Sequence, residues 1–73
     1  MKIKSKTQII QEKKEFVEAV RLFQPGKAEY MSFLLELYKK DKISLNDLER
    51  MFVELMSFPG DIIFNGYFAF GYF

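Results

Sequence analysis

A chain of 73 residues carries one domain at most and sits near the lower size limit for a self-sufficient core. With 49% hydrophobic and 29% charged residues, the composition excludes a disordered segment, and a net charge of +1 argues against a nucleic-acid binder or an acidic substrate. Histidine and cysteine are both absent, which removes the commonest general base, the commonest zinc ligand, any thiolate metal site and any disulfide.

No metal site or cofactor is therefore expected, and an enzyme would have to work with Asp, Glu, Lys, Tyr and Ser alone. Glu12, Glu15 and Glu18 alternate with lysines and read as a solvated face, not as paired catalytic carboxylates. No secretory signal and no membrane span are visible, so a soluble intracellular chain is expected. Nine Phe and four Tyr supply a small core with large apolar area per residue.

The first predicted helix runs from Lys6 to Phe23, with Thr7 as its expected N-cap. Ile9, Ile10, Phe16, Val17, Val20 and Phe23 fall at helical spacing, interrupted by Lys13 and Lys14. Those two lysines are expected to pair with glutamates one turn away. Gln24-Pro25-Gly26 ends the helix, because proline cannot continue the hydrogen-bond ladder and glycine permits a sharp reversal. So short a connection makes the first two helices antiparallel neighbours.

The second predicted helix runs from Lys27 to Lys40. Eight of the eleven residues from Ala28 to Tyr38 are apolar, too many for a helix with one buried stripe. It is either the central helix of the fold or keeps a face for a partner.

A charged connector, Lys39 to Lys42, leads to a third predicted helix over 44–57. Ser44 and Asp47 form its start signal, and Ile43 is placed to pack on Leu48 as a staple. Leu45, Leu48, Phe52, Leu55 and Met56 form its apolar stripe. Phe58-Pro59-Gly60 is a second stop, followed by a short predicted fourth helix over 61–68. The competing reading of that last stretch is a hairpin with Asn65-Gly66 at its tip.

Two patterns stand together: Tyr30-x-x-Phe33-Leu34-x-x-Leu37 on the second helix, and Ile43 to Met56 followed by Asp61 and Phe64-Asn65-x-Tyr67-Phe68-x-x-Gly71-Tyr72. In order and spacing they resemble the paired amphipathic helix (PAH) domain of Sin3-type transcriptional corepressors. The resemblance covers roughly Phe16 to Tyr72. It implies an all-α, left-handed, up-and-down four-helix bundle whose first two helices form a cleft for one amphipathic helix of a transcription factor or repressor.

The implied role is that of a nuclear adaptor, linking DNA-bound factors to a histone-deacetylase corepressor complex, with no catalysis and no direct contact with nucleic acid or membrane. The partner-binding positions it implies are Ile10, Lys14 and Val17 on the first helix and Phe33, Leu34 and Leu37 on the second. Phe16 and Tyr30 match core positions. Lys13 and Lys14 stand where the family has small or apolar residues, and would narrow the cleft entrance or favour an acidic ligand. The alternative is a small helical self-association domain with no peptide ligand, in which the spare face of the second helix meets another copy.

Overall fold

The computed structural model describes residues 4–62 and residue 64. Among them it is an all-α domain of three helices and no strand: α1 (Lys6–Arg21), α2 (Pro25–Lys39) and α3 (Leu45–Ser57).

Ser5, not Thr7, caps α1: its Oγ accepts from the Gln8 amide at 3.1 Å. The helix stops at Arg21, two residues before the expected end, and Leu22 to Gln24 make the turn. Pro25 then opens α2 instead of closing α1. The first turn of a helix leaves its amides unbonded, so the missing N–H costs nothing there.

Gly26 is likewise helical, and its small size serves another purpose than a reversal. A Cβ on Gly26 would lie 1.6 Å from the Ile62 carbonyl oxygen, so only glycine lets the segment after α3 cross this close.

Two ion pairs set the first helix pair antiparallel. Lys6 at the start of α1 binds Asp41 just beyond α2, and Arg21 at the end of α1 binds Glu29 near the start of α2 at 2.6 Å. At the far end of α2 the chain turns through Asp41, whose φ is +62°. The Asp41 amide donates to the Tyr38 carbonyl at 3.0 Å and the Lys42 amide to the Leu37 carbonyl at 2.8 Å. This pair of bonds is a Schellman motif, with an aspartate where glycine is usual.

Ser44 caps α3 as expected, accepting from the Asp47 amide at 3.1 Å. Gly60, with φ +80°, lets the chain turn back after Pro59.

The central helix is α2. Ala28, Tyr30, Met31, Leu34, Leu35 and Tyr38 are all buried, joined by Val17 and Val20 from α1 and Leu48, Phe52 and Leu55 from α3. α2 packs on both neighbours, while no Cα of α1 comes within 8 Å of a Cα of α3. The outer helices meet only through side chains, with the Phe16 and Phe52 rings stacked at 6.2 Å and Lys13 bound to Glu49 at 3.3 Å.

Asp61 and Ile62, expected to open a fourth helix, lie outside any helix, and the rest of that expectation lies largely outside the described residues. The hairpin tip at Asn65-Gly66 and the closing Gly71-Tyr72 lie outside them too. Asp61 instead serves α2: one carboxylate oxygen accepts from the Gly26 amide at 3.0 Å and the other from the Lys27 amide at 2.8 Å. Gln24, the residue at the N-cap position, makes no side-chain cap. A residue far along the chain thus fills the role a local Ser or Asp ordinarily fills. Gln24 Nε2 donates to the Gly60 carbonyl at 3.2 Å, and Phe64 stacks on Tyr30 at 5.1 Å and lies against Phe33 at 5.4 Å.

Candidate functional site

Lys13 and Lys14 are adjacent in sequence, and the helix turns them apart. Lys13 reaches α3, where it binds Glu49 and lies 5.7 Å from the Phe52 ring, so its partner is across the bundle and not one turn away. Lys14 faces the α1–α2 side. Among the described residues no carboxylate lies within salt-bridge distance of Lys14 or Lys39.

A shallow trough runs along the α1–α2 pair. One part, of about 150 Å³, is lined by Ile10, Lys14, Val17 and Glu18 from α1 and by Ser32, Leu35, Glu36 and Lys39 from α2. A second part, of about 390 Å³, shares Ile10, Lys14 and Lys39 and adds Lys6, Thr7 and Gln11. Because the helices are antiparallel, the α1 start and the α2 end bring Lys6, Lys14 and Lys39 to one end. Glu18 and Glu36 lie further toward the α1–α2 turn.

The floor is apolar but mostly covered: Val17 and Leu35 are 1% and 5% exposed, and only Ile10 is half-buried. A partner's apolar side chains reach that floor fully only if α1 and α2 part.

Three of the six residues implied as partner contacts, Ile10, Lys14 and Val17, thus line one trough. Phe33, Leu34 and Leu37 do not line it. Phe33 lies against Tyr30 and Phe64, Leu34 is buried in the core at 2% exposure, and Leu37 is half-buried against the core. The α2 side is supplied by Ser32, Leu35, Glu36 and Lys39, each one or two positions from the implied contacts. A one-residue step turns a helix by about 100°, so a sequence pattern that is right in spacing selects the neighbouring face when the helix rotation is unknown.

A larger groove of about 640 Å³ lies on the opposite side of the bundle, between α1 and α3. Phe16, Phe52, Val53 and Met56 line it, with Glu12, Lys13, Glu49 and Ser57 at its rim. Phe16, Val53 and Met56 are all exposed, and Leu22 and Phe23 are exposed at the end of α1. Sequence reading placed Phe16 and Met56 in the core. They are half-open because α1 and α3 have no backbone contact across this face.

At the α2 start, Lys27 is 1% exposed and its Nζ donates to the Phe58 carbonyl. Burial acts to raise the Asp61 carboxyl, but the amides of Gly26, Ile62 and Lys27 and the Lys27 charge outweigh it and hold the group below the ordinary aspartate value. Burial, with a contribution from the Glu54 charge, pushes the Tyr30 phenol up to about 12. The hydrogen bond that Arg21 donates to Glu29 is the main reason that its guanidinium is raised. These are structural groups, and none of them lines either groove.

Among the described residues no cluster of three or more acidic side chains converges to hold a metal ion, and no helix is long and apolar enough to cross a membrane. No protein family, curated protein or solved structure matches the chain.

Proposed function

We propose that the chain is a protein-interaction adaptor that receives one amphipathic helix in the trough between α1 and α2, in the manner of the PAH domains its sequence resembles. The observation that carries this reading is the convergence of Ile10, Lys14 and Val17 on one trough along an antiparallel helix pair. Helix-in-groove recognition needs such a bed, with apolar anchors at i, i+3, i+4 and i+7 of the incoming helix.

The partner class is an amphipathic helix of a transcription factor or repressor, the cellular context is nuclear corepression alongside a histone-deacetylase complex, and the module itself performs no catalysis. In this reading the bundle is left-handed and four-membered. Partner affinity is of micromolar order, about 8 kcal/mol net of ordering terms.

The test is binding of a labelled amphipathic helical peptide to the wild type and to Ile10→Glu. Ile10 is half-buried on the trough, so the variant keeps its helicity and loses about tenfold or more in affinity, because a carboxylate is buried against the partner's apolar face. Equal binding by a folded Ile10→Glu removes the trough from the account.

One observation favours a second reading. Phe16, Val53 and Met56 are exposed and line one groove, an apolar face of the kind that mediates self-association. A concentration-dependent dimer that Val53→Glu abolishes would establish it.

A further inference from the structure

Resting on the α1–α2 reading above, we infer that the partner helix is acidic at one end, and that this end sits over Lys6, Lys14 and Lys39. Three lysines from two helices line the same part of the trough, and no acidic side chain lines it with them. Lys6 is engaged by Asp41 and lies 4.8 Å from the Tyr38 ring, so its charge is partly answered. Lys14 and Lys39 are not answered by any carboxylate among the described residues.

Elsewhere on the helices the pattern is different. Lys13 has Glu49, Arg21 has both Glu18 and Glu29, and Arg50 has Asp47. Lys27 is buried at the other end of α2 and donates to the Phe58 carbonyl, so the exposed lysines of the described helices that lack an ion pair are the two that line the trough.

Further along, Glu18 and Glu36 line the trough on either helix. Glu18 is engaged by Arg21 at 3.4 Å and Glu36 is in no ion pair among the described residues, so the charge changes sign between the lysine end and Glu36. A polyanion of uniform charge, such as a nucleic-acid strand, would meet lysines at one end and be repelled by carboxylates at the other. A helix with Asp or Glu in the turn over the lysines, and neutral or basic residues in the turn over Glu18 and Glu36, matches both. Its apolar face would cover Ile10, which lies between Lys6 and Lys14 along α1. The trough then fixes the direction of the partner as well as its chemistry, since reversing the helix puts like charges together at both ends.

The test uses two designed helical peptides of about 18 residues, identical in their leucine face. One carries three glutamates in the turn at one end and the other carries glutamines there. The glutamate peptide binds the wild type about threefold to tenfold more tightly, the range for two exposed ion pairs, and the advantage shrinks as salt is raised. In Lys14→Glu/Lys39→Glu the preference for the glutamate peptide disappears or reverses.

Equal binding of the two peptides to the wild type overturns the inference and leaves the adaptor reading standing. Binding of neither peptide overturns both. A single-stranded oligonucleotide that displaces the glutamate peptide from the lysine end assigns that end to nucleic acid and overturns the inference as well.

Discussion

At the start of α2, a single carboxylate does what the local sequence does not. Asp61 accepts both the Gly26 and the Lys27 amides, and Gly26 is the residue that allows the Ile62 carbonyl to pass. The cap ties the chain after α3 to the first turn of α2, and the positive helix end adds to its hold. Asp61→Asn keeps the shape and removes the charge, and is expected to lower stability by about 1 kcal/mol at neutral pH in denaturant titration. The pH dependence has a definite sign. The folded pKa of Asp61 lies below its unfolded value, so the contribution is complete above about pH 4, near the unfolded value, and is lost as the pH falls through the folded one. The stability gap between wild type and Asp61→Asn should therefore narrow as the solution is acidified below about pH 4. A gap that is constant with pH would mean that the cap charge contributes nothing.

At the scale of the helices, Asp41 is the residue whose backbone conformation carries a penalty. It occupies the left-handed position that closes α2, which glycine fills without a Cβ clash. Asp41→Gly gives up the exposed pair with Lys6, worth about 0–1 kcal/mol, and relieves about 1–2 kcal/mol of left-handed strain. A thermal melt should show the variant equal to or more stable than the wild type. A clear loss would show the Lys6–Asp41 pair to be the stronger effect.

The helices were legible where their signals are local. The Ser44 cap and the buried Leu48, Phe52 and Leu55 of α3 depend on residues within a few positions of one another, whereas for α2 the sequence left open a central place or a face kept for a partner. What could not be read there was long-range. Asp61 belongs to a helix that begins 36 positions earlier, Lys27 is buried because the Phe58 carbonyl returns to meet its ammonium group, and Gly26 is small because Ile62 crosses it. Each looks local in sequence: a helix start, a charged surface residue, a turn glycine. The trough was legible on α1, where Ile10, Lys14 and Val17 lie along one face. On α2 apolar residues run around the circumference, and nothing in their spacing says that Leu35 and not Leu34 turns toward α1.

At the largest scale, the three helices of the described residues leave one asymmetric arrangement. α2 lies under both neighbours, the α1–α2 seam is tight and bordered by charge, and the α1–α3 side is open and aromatic. A bundle of this size has little apolar area to spare, so the exposed Phe16, Val53 and Met56 on one face call for a cover. The proposed division of labour leaves the charged seam for the partner helix and gives the open face no part in its recognition. The same division makes the partner's charge, and not apolar area alone, the source of direction.

The measurement that bears most directly on this account is a heteronuclear NMR titration of the labelled chain with an amphipathic helical peptide. Saturable shifts centred on Ile10, Lys14, Val17, Leu35 and Lys39, with Phe16, Val53 and Met56 unmoved, are the predicted result. Shifts confined to Phe16, Phe52, Val53 and Met56, or shifts there that follow the chain's own concentration without peptide, would contradict it and transfer the interaction to the α1–α3 face.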